Sequence, residues 1–301
     1  MWEIFKGLNA IEFSKKFQSN EDCFLYLMEV KWKDGYQCKK CSSTEFGKGR
    51  TYYYKRCKKC GYNESVLANT IFHDMRVPIL KAFHMTYRIL NKKKGMSTVE
   101  LSTEVGVQQK TAWLFKRKIQ EVMQYQGKKK LKGQVVSDES LVGGGRKSSY
   151  GRTHEEKDIV FIAVEKLPDE RTGNILIQPI KDFKLATMLP VVKENIDEKA
   201  HLYADDFPTN RGIKMRRENT ELMQSKGNSF FDELHKQVMM FKMWLSGIHH
   251  KCSTHHLKAY TAEYTYKFNR RNQRDFIFHN FMRDAIRQQP ASYLFLKATE
   301  N

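Results

Sequence analysis

Four residues of this chain have types and spacing that suit metal and phosphate chemistry. Asp138 closes the strand-like run Gln134-Val135-Val136-Ser137-Asp138 and is followed by Gly143-Gly144-Gly145. A carboxylate at a strand end, with no large side chains just beyond it, can approach a bulky substrate. Adjacent strand residues point to opposite faces, so Asp138 and Glu139 cannot enter the same site. The same holds for Asp205 and Asp206, which follow the strand-like His201–Ala204. Each pair should supply one metal ligand. On a long helix expected from about Phe231 to Leu245, His235 and Lys242 lie nearly two turns apart and share one face. A ligand and a cation on one stripe suit a place where a metal meets a phosphate. Taken singly, each of these residues is most simply a solvated charge.

A second constellation is Cys38, Cys41, Cys57 and Cys60. Two C-x-x-C pairs at this separation match the two-knuckle zinc spacing. Four thiolates complete a tetrahedron with no open position, so the site is structural rather than catalytic. A redox role suits a lone C-x-x-C better than two such pairs in a basic chain. Lys39, Lys40, Lys48, Arg50, Lys55, Arg56, Lys58 and Lys59 surround the cysteines. That charge fits phosphate contact, with a solvated basic surface as the lesser alternative. Cys23 and Cys252 read as ordinary thiols.

A third signal is a helix-turn-helix pattern. Ser97 can cap a helix, with Glu100 as its capping-box partner. Val99, Leu101 and Val105 give an apolar face, and Gly106 sits at the turn. A second helix opens at Gln108-Gln109-Lys110-Thr111 and continues past Lys116 and Arg117. Gln108, Gln109, Lys110 and Thr111 are placed to reach base edges or phosphates, and Lys116 and Arg117 are expected as further DNA contacts. Trp113 and Ile119 are expected to pack inward.

The elements that must hold these residues divide the chain. Residues 1–35 read as a helical segment, 36–65 as the zinc ribbon, 66–127 as the helix-turn-helix domain and 131–290 as an α/β domain. A basic stretch at Gly127-Lys128-Lys129-Lys130 reads as a linker. After it, strands are expected at 134–138, 158–164, 174–180 and 201–204, with a helix at 184–196 before the long one. That order predicts a mixed sheet with flanking helices. The chain has 53 Lys plus Arg against 34 Asp plus Glu, a formal charge of +19, which points to a polyanionic partner. With no membrane-length apolar run and no secretory leader, the expected location is cytoplasmic and nucleoid-associated, with reduced cysteines.

The stretches "DGYQCKKC", "STVELSTEVGVQQKTAWLFKRKI", "DESLVGGGRK", "YADDFPTNRGI" and "KMWLSGIHHKCSTHHLKAYTAEYTYKFNRRN" carry a resemblance over roughly 30–272. In that order, the chain resembles bacterial insertion-sequence transposases that join a zinc ribbon and a helix-turn-helix to a DDE-type domain of the RNase H-like fold. The resemblance implies an α/β, RNase H-like mixed sheet preceded by the ribbon and an all-α DNA-binding domain. It makes Asp138 the first catalytic carboxylate, Asp205 the second, and Lys242 the basic residue seven beyond the third position. That third position falls on His235, where relatives usually have Asn or Glu and some have His, with Asp232, the better placed, and Glu233 as nearby substitutes. Asp138, Asp205 and His235 would then ligate Mg²⁺ or Mn²⁺, and one structural Zn²⁺ would sit in the ribbon. The implied partners are double-stranded DNA, as transposon ends and target, and further copies of the chain in a homodimer or higher synaptic multimer. The competing function is a zinc-ribbon and helix-turn-helix regulator whose second domain has lost its chemistry. His249, His250, His255 and His256 tempt a second metal site, but read more simply as packing or DNA contact. The run Lys267–Asn272 could track a DNA backbone or end a helix with solvated charges.

Overall fold

The structure, a computed structural model, describes residues 9–124, 129–143, 157–168, 171–249, 254–291 and 296. The Gly144-Gly145 pair, Gly127 and Lys128 of the basic stretch, His250 and Cys252 lie outside them. The chain forms two compact units: Met1–Val122 with Asn272–Thr299, and Met123–Arg271 with the last two residues. Among the described residues, no helix is long and apolar enough to cross a membrane.

The first unit opens with α1 (Ala10–Lys16) and α2 (Asn20–Lys31). Ser19 starts α2 through a full capping box: its hydroxyl accepts from the Asp22 amide while Asp22 accepts from the Ser19 amide. A small antiparallel sheet follows, β1 (Phe46–Lys48), β2 (Tyr54–Cys57) and β3 (Asn63–Ser65). Lys31 ties the end of α2 to it. The Lys31 ammonium lies 2.9 Å from the Glu64 carboxylate and donates to the carbonyls of Ser65 and Ala68, with both charged groups buried.

Three helices come next, α3 (Ile79–Asn91), α4 (Thr98–Val105) and α5 (Gln109–Gln124). Ser97 caps α4 at the Glu100 amide, as its position predicts. Glu100 does not close the expected capping box, because its carboxylate pairs with the Lys92 ammonium instead. Gly106 ends α4 at φ +65° and ψ +55°, a left-handed conformation that a side chain disfavours. Two residues later α5 begins.

The second unit is a five-stranded mixed sheet: β4 (Gln134–Val142), β5 (Asp158–Lys166), β6 (Thr172–Ile180), β7 (His201–Asp205) and β8 (Thr220–Met223). The strand order is β6-β5-β4-β7-β8. β4, β5 and β6 form an antiparallel meander, while β7 runs parallel to β4 and β8 parallel to β7. Helices α6 (Leu185–Asn195) and α7 (Pro208–Lys214) flank β7 in sequence; α8 (Asp232–Ile248) and α9 (Thr254–Asn269) follow β8. This is the expected RNase H-like mixed sheet. All four expected strands are present, and β8 and α7 are additional.

Period-2 alternation divides the sheet into two apolar faces. Val135, Phe161, Ala163 and Leu202 pack with Met188, Val191 and Val192 of α6. Val136, Val160, Ile162, Val164, Ile175 and Ile177 pack with Leu234, Phe241 and Leu245 of α8 and with Leu257 and Tyr264 of α9. Asp138 alternates with Val136, and Asp205 with Tyr203, so both acids face the α8 side.

The last helix, α10 (Ile277–Arg287), departs from the expected boundary at 290. It packs on α2 and α3 of the first unit. Phe278 sits in a ring cluster with Phe13, Phe17, Tyr26 and Phe83. The Tyr26 hydroxyl and His279 Nδ1 share a hydrogen bond of 2.9 Å. The apolar stripe of α10 therefore completes the N-terminal core rather than covering the sheet. Phe278→Ala should destabilise the first unit by about 3–5 kcal/mol through the cavity it leaves. Hydrogen exchange should speed up at α2 and α3 and stay unchanged in β4, β5 and α8. Unchanged protection at α2 would refute this role for α10.

Candidate active site

β4 and β7 pair in parallel with Ser137 opposite Ala204. One step on, Asp138 and Asp205 stand side by side at the ends of neighbouring strands, which run about 4.8 Å apart. In-register residues of neighbouring strands point to the same face, so both carboxylates emerge together. Asp138 Oδ1 accepts from the Glu139 amide at 2.7 Å. Asp205 Oδ1 accepts from the amides of Asp206 at 3.0 Å and Ser225 at 3.2 Å. Asn210, buried in α7, donates to the Asp205 carbonyl at 3.1 Å and fixes the strand end. Asp206 turns away into a two-bond contact with Arg211, at 2.6 and 2.9 Å. Glu139 likewise lies on the opposite face of β4. Of each acidic pair, one member enters the site.

His235 comes to these acids from α8, with Nε2 3.6 Å from Asp138 Oδ2. Phe231, fully buried one turn earlier, stacks on the imidazole at 6.2 Å between ring centroids. Lys242 follows on the same stripe, exposed. Glu233 is not a substitute ligand: its carboxylate accepts from the Thr172 hydroxyl and from Gln237 at 2.9 Å, which pins the first turn of α8 to β6. Asp232 is exposed at the start of the helix.

The electrostatics follow this geometry. Burial raises the Asp138 carboxyl above its ordinary 3.8; the Glu139 amide and His235 oppose that shift, and the Asp205 charge adds to it. Desolvation lowers the Lys242 ammonium, the charge of Lys157 lowers it further, and Asp138 raises it. Lys157, just before β5, is a charge at this site that nothing in its local sequence announces. Two adjacent carboxylates faced by an imidazole make a set of hard oxygen donors with one nitrogen, which suits a divalent cation such as Mg²⁺ or Mn²⁺.

In the first unit, the Sγ atoms of Cys38, Cys41, Cys57 and Cys60 all lie within 4.8 Å of one another. Cys38 to Cys60 and Cys41 to Cys57 are each 3.6 Å apart. Tetrahedral thiolates on zinc sit about 3.8 Å apart, so the cluster fits that ion. Burial works against the Cys38 thiolate, but amides of Lys40 and Cys41 and the neighbouring thiols hold it down to about 6. Among the described residues, no other group of three or more His, Cys, Asp and Glu has all its ligand atoms this close, and Asp138, Asp205 and His235 are more loosely gathered, with only the His235–Asp138 contact tight. Of the surrounding basic residues, Lys55 turns inward, its ammonium over the rings of Phe46 at 3.9 Å and Trp32 at 4.5 Å. The others are exposed.

Gln108, Gln109 and Lys110 are exposed and Thr111 half-buried at the start of α5. Lys116 and Arg117, expected to contact DNA, are instead buried, with 3% and 4% exposure. Lys116 donates to the Met96 carbonyl at 2.7 Å, and Arg117 reaches Gln120. The α-helical period turns them onto the face that packs inside the unit. His249 stacks on Tyr260 at 3.7 Å, and His256 lies edge-on to the same ring, so these histidines pack rather than gather around an ion. The run 267–272 clamps the sheet edge. Asn269 exchanges two hydrogen bonds with the Ile175 backbone, at 2.8 and 2.9 Å, and Arg271 donates to the Thr172 carbonyl.

Because Asp138 is raised, the folded state keeps its proton to higher pH than the unfolded chain. The stability lost to its ionisation is nil below about pH 3.8 and grows as pH rises through the folded value. Asp138→Asn should therefore raise the unfolding midpoint of the metal-free protein at pH 7, with the difference fading on acidification. An equal or lower midpoint at pH 7 contradicts this.

Comparison with curated proteins finds no match. Among solved structures, a pre-cleavage Mos1 transpososome is similar at 11% identity over 67% of this chain and 78% of that one, with a TM-score of 0.21. A Mos1 transposase paired-end complex with left transposon end has 11% identity over 64% and 77%, with a TM-score of 0.22. Superpositions this loose establish no shared geometry. The sequence itself is more specific: the stretch that holds Asp138, Asp205, His235 and Lys242 matches the model of the ISXO2-like transposase domain over residues 130–269.

Proposed function

We propose that the chain is a DNA transposase that binds insertion-sequence ends, cleaves them and joins the 3′ ends to target DNA. The observation that carries this reading is the convergence of Asp138 and Asp205 at the ends of paired parallel strands, under His235 of α8, inside a transposase-family domain. Asp138, Asp205 and His235 are the residues that would hold divalent cations. When bound, such ions stabilise the entering and leaving oxygens of an in-line phosphoryl displacement.

The protein's own groups have separate tasks. The Ser225 and Asp206 amides fix the Asp205 carboxylate, so its geometry is set before substrate arrives. His235, held by Phe231, supplies an imidazole to orient water or complete the ligand set. Lys242 places its ammonium on the phosphate beside the scissile one. Water cuts the transposon end and leaves a 3′-hydroxyl; that hydroxyl then attacks the target strand at the same site, with no covalent protein–DNA intermediate. Gln108, Gln109, Lys110 and Thr111 contact the end sequence, and the ribbon, with one Zn²⁺, adds phosphate contacts through its exposed lysines and arginines. Joining two ends at one target calls for two copies of the site, hence a homodimer or larger assembly.

The test is metal-dependent nicking and strand transfer on duplexes carrying whatever inverted repeats are found flanking the gene. Asp138→Ala and Asp205→Ala should each lose on the order of a thousandfold or more in rate while still binding DNA. Full activity in either variant ends the assignment. DNA binding by the unmodified protein with no cleavage in Mg²⁺ or Mn²⁺ identifies the regulator instead. In a second test, Gln109→Ala with Lys110→Ala should weaken binding to the repeats about tenfold or more, whereas Lys116→Met should act through stability alone. Equal losses of affinity at unchanged stability would contradict the burial of Lys116.

A further inference from the structure

Helix α8 buries Leu234, Gln237, Phe241 and Leu245 and leaves three methionines outside. Met239, Met240 and Met243 are 56%, 37% and 57% exposed. A helix face turned only to water has no use for three thioethers, since charged residues hold a helix as well without presenting apolar surface. Their position on the helix says what they meet. Met239 is four residues after His235 and three before Lys242. At the α-helical period it lies within about 60° of both, roughly 6 Å along the axis from one and 4.5 Å from the other. A strand with one phosphate at Asp138 and His235 and a neighbouring phosphate on Lys242 must lay the nucleotide between them across Met239.

The rim of this patch is cationic. Lys242 is exposed on α8 with Lys157 within electrostatic reach of it, and Lys236 is exposed too, its ammonium shared with the Glu233 carboxylate at 3.4 Å. An apolar centre with a positive rim complements a DNA strand, whose phosphates carry the charge and whose bases present flat apolar faces. It does not complement a second copy of itself, which would set these cations against their equals. Methionine is unbranched and polarisable, and it is among the side chains that wedge between base steps.

We infer that Met239, supported by Met243, is a wedge that unstacks the base beside the scissile phosphate and holds the strand in line with Asp138 and Asp205. This rests on the reading that the site handles a DNA phosphate. It assigns Met239 to substrate contact and predicts that part of the binding energy is spent in deforming the end.

The test uses the full chain and duplexes carrying the same inverted repeats, with 2-aminopurine at the nucleotide beside the cleavage point. With Ca²⁺ in place of Mg²⁺ or Mn²⁺, the unmodified protein should bind and raise 2-aminopurine fluorescence severalfold; Met239→Ala should bind with little rise, and Met239→Leu should restore it. In Mg²⁺ or Mn²⁺, Met239→Ala should cut the paired duplex about tenfold more slowly and recover on a duplex mismatched at that nucleotide, where unstacking is already cheap. Equal loss on paired and mismatched duplexes, or no loss on either, overturns the wedge. So does a change in sedimentation with unchanged cleavage, which marks the patch as a contact between copies. Binding without a fluorescence rise defeats the wedge and spares the transposase reading; failure to bind the repeats at all defeats both.

Discussion

The parallel pairing of β4 with β7 is the constraint on which the site depends. Parallel neighbours end at the same edge of a sheet, and residues in register point to the same face. Two acids far apart in the chain are thereby delivered side by side, with no loop needed to aim them. The arrangement works against stability, because burial and the neighbouring Asp205 charge both penalise the ionised Asp138. Apolar residues on both faces of β4 and its neighbours supply the opposing term: fully burying each large side chain is worth about 1.5–3 kcal/mol. A sheet packed on both faces is stiff enough to keep two carboxylates where neither would choose to be.

The third and fourth groups depend on a different anchor. His235 must reach the acids while remaining open to substrate, so it cannot be held by burial. The helix around it is held instead. Leu234, Phe241 and Leu245 seat α8 on the sheet, and Glu233 clips its first turn to Thr172 on β6. Once the axis is fixed, the positions of Met239 and Lys242 follow from 3.6 residues per turn. β6 is itself an edge strand, and Asn269 and Arg271 bond its free backbone. The tail of α9 thus guards the edge and steadies the strand that α8 is clipped to, which is a structural use for a basic run.

Much of this was legible from the residues because it depends on period. Alternation gave the strands through Asp138 and Asp205 and required that only one acid of each neighbouring pair enter the site. The seven-residue spacing put His235 and Lys242 on one stripe. Ser97 and Gly106 marked the start and end of α4. What was hidden depends on tertiary partners. Nothing near Glu233 reveals Thr172, nothing near Lys157 reveals Lys242, and the four residues of β8 are too few to show a period. α10 was not read from the sequence, and no local feature says that its partners are Phe13, Phe17 and Phe83 at the other end of the chain.

Charge was the least faithful guide, and the reason is physical. A net charge of +19 describes the field at a distance, where individual positions do not matter. Within a helix, position decides everything. Lys110 and Lys116 are six residues apart on one helix and carry the same charge, yet one is exposed and the other, buried, donates to Met96. Six residues advance the helix by about 240°, which turns the second lysine toward the neighbouring helix. The Lys116 ammonium, anchored on a main-chain carbonyl in the segment that leads into α4, then helps to fix α5 against that segment. On the proposed function, its part in DNA recognition would be to hold Gln109 and Lys110 at a constant angle, with contact to phosphate left to the first turn of α5 and to the ribbon surface.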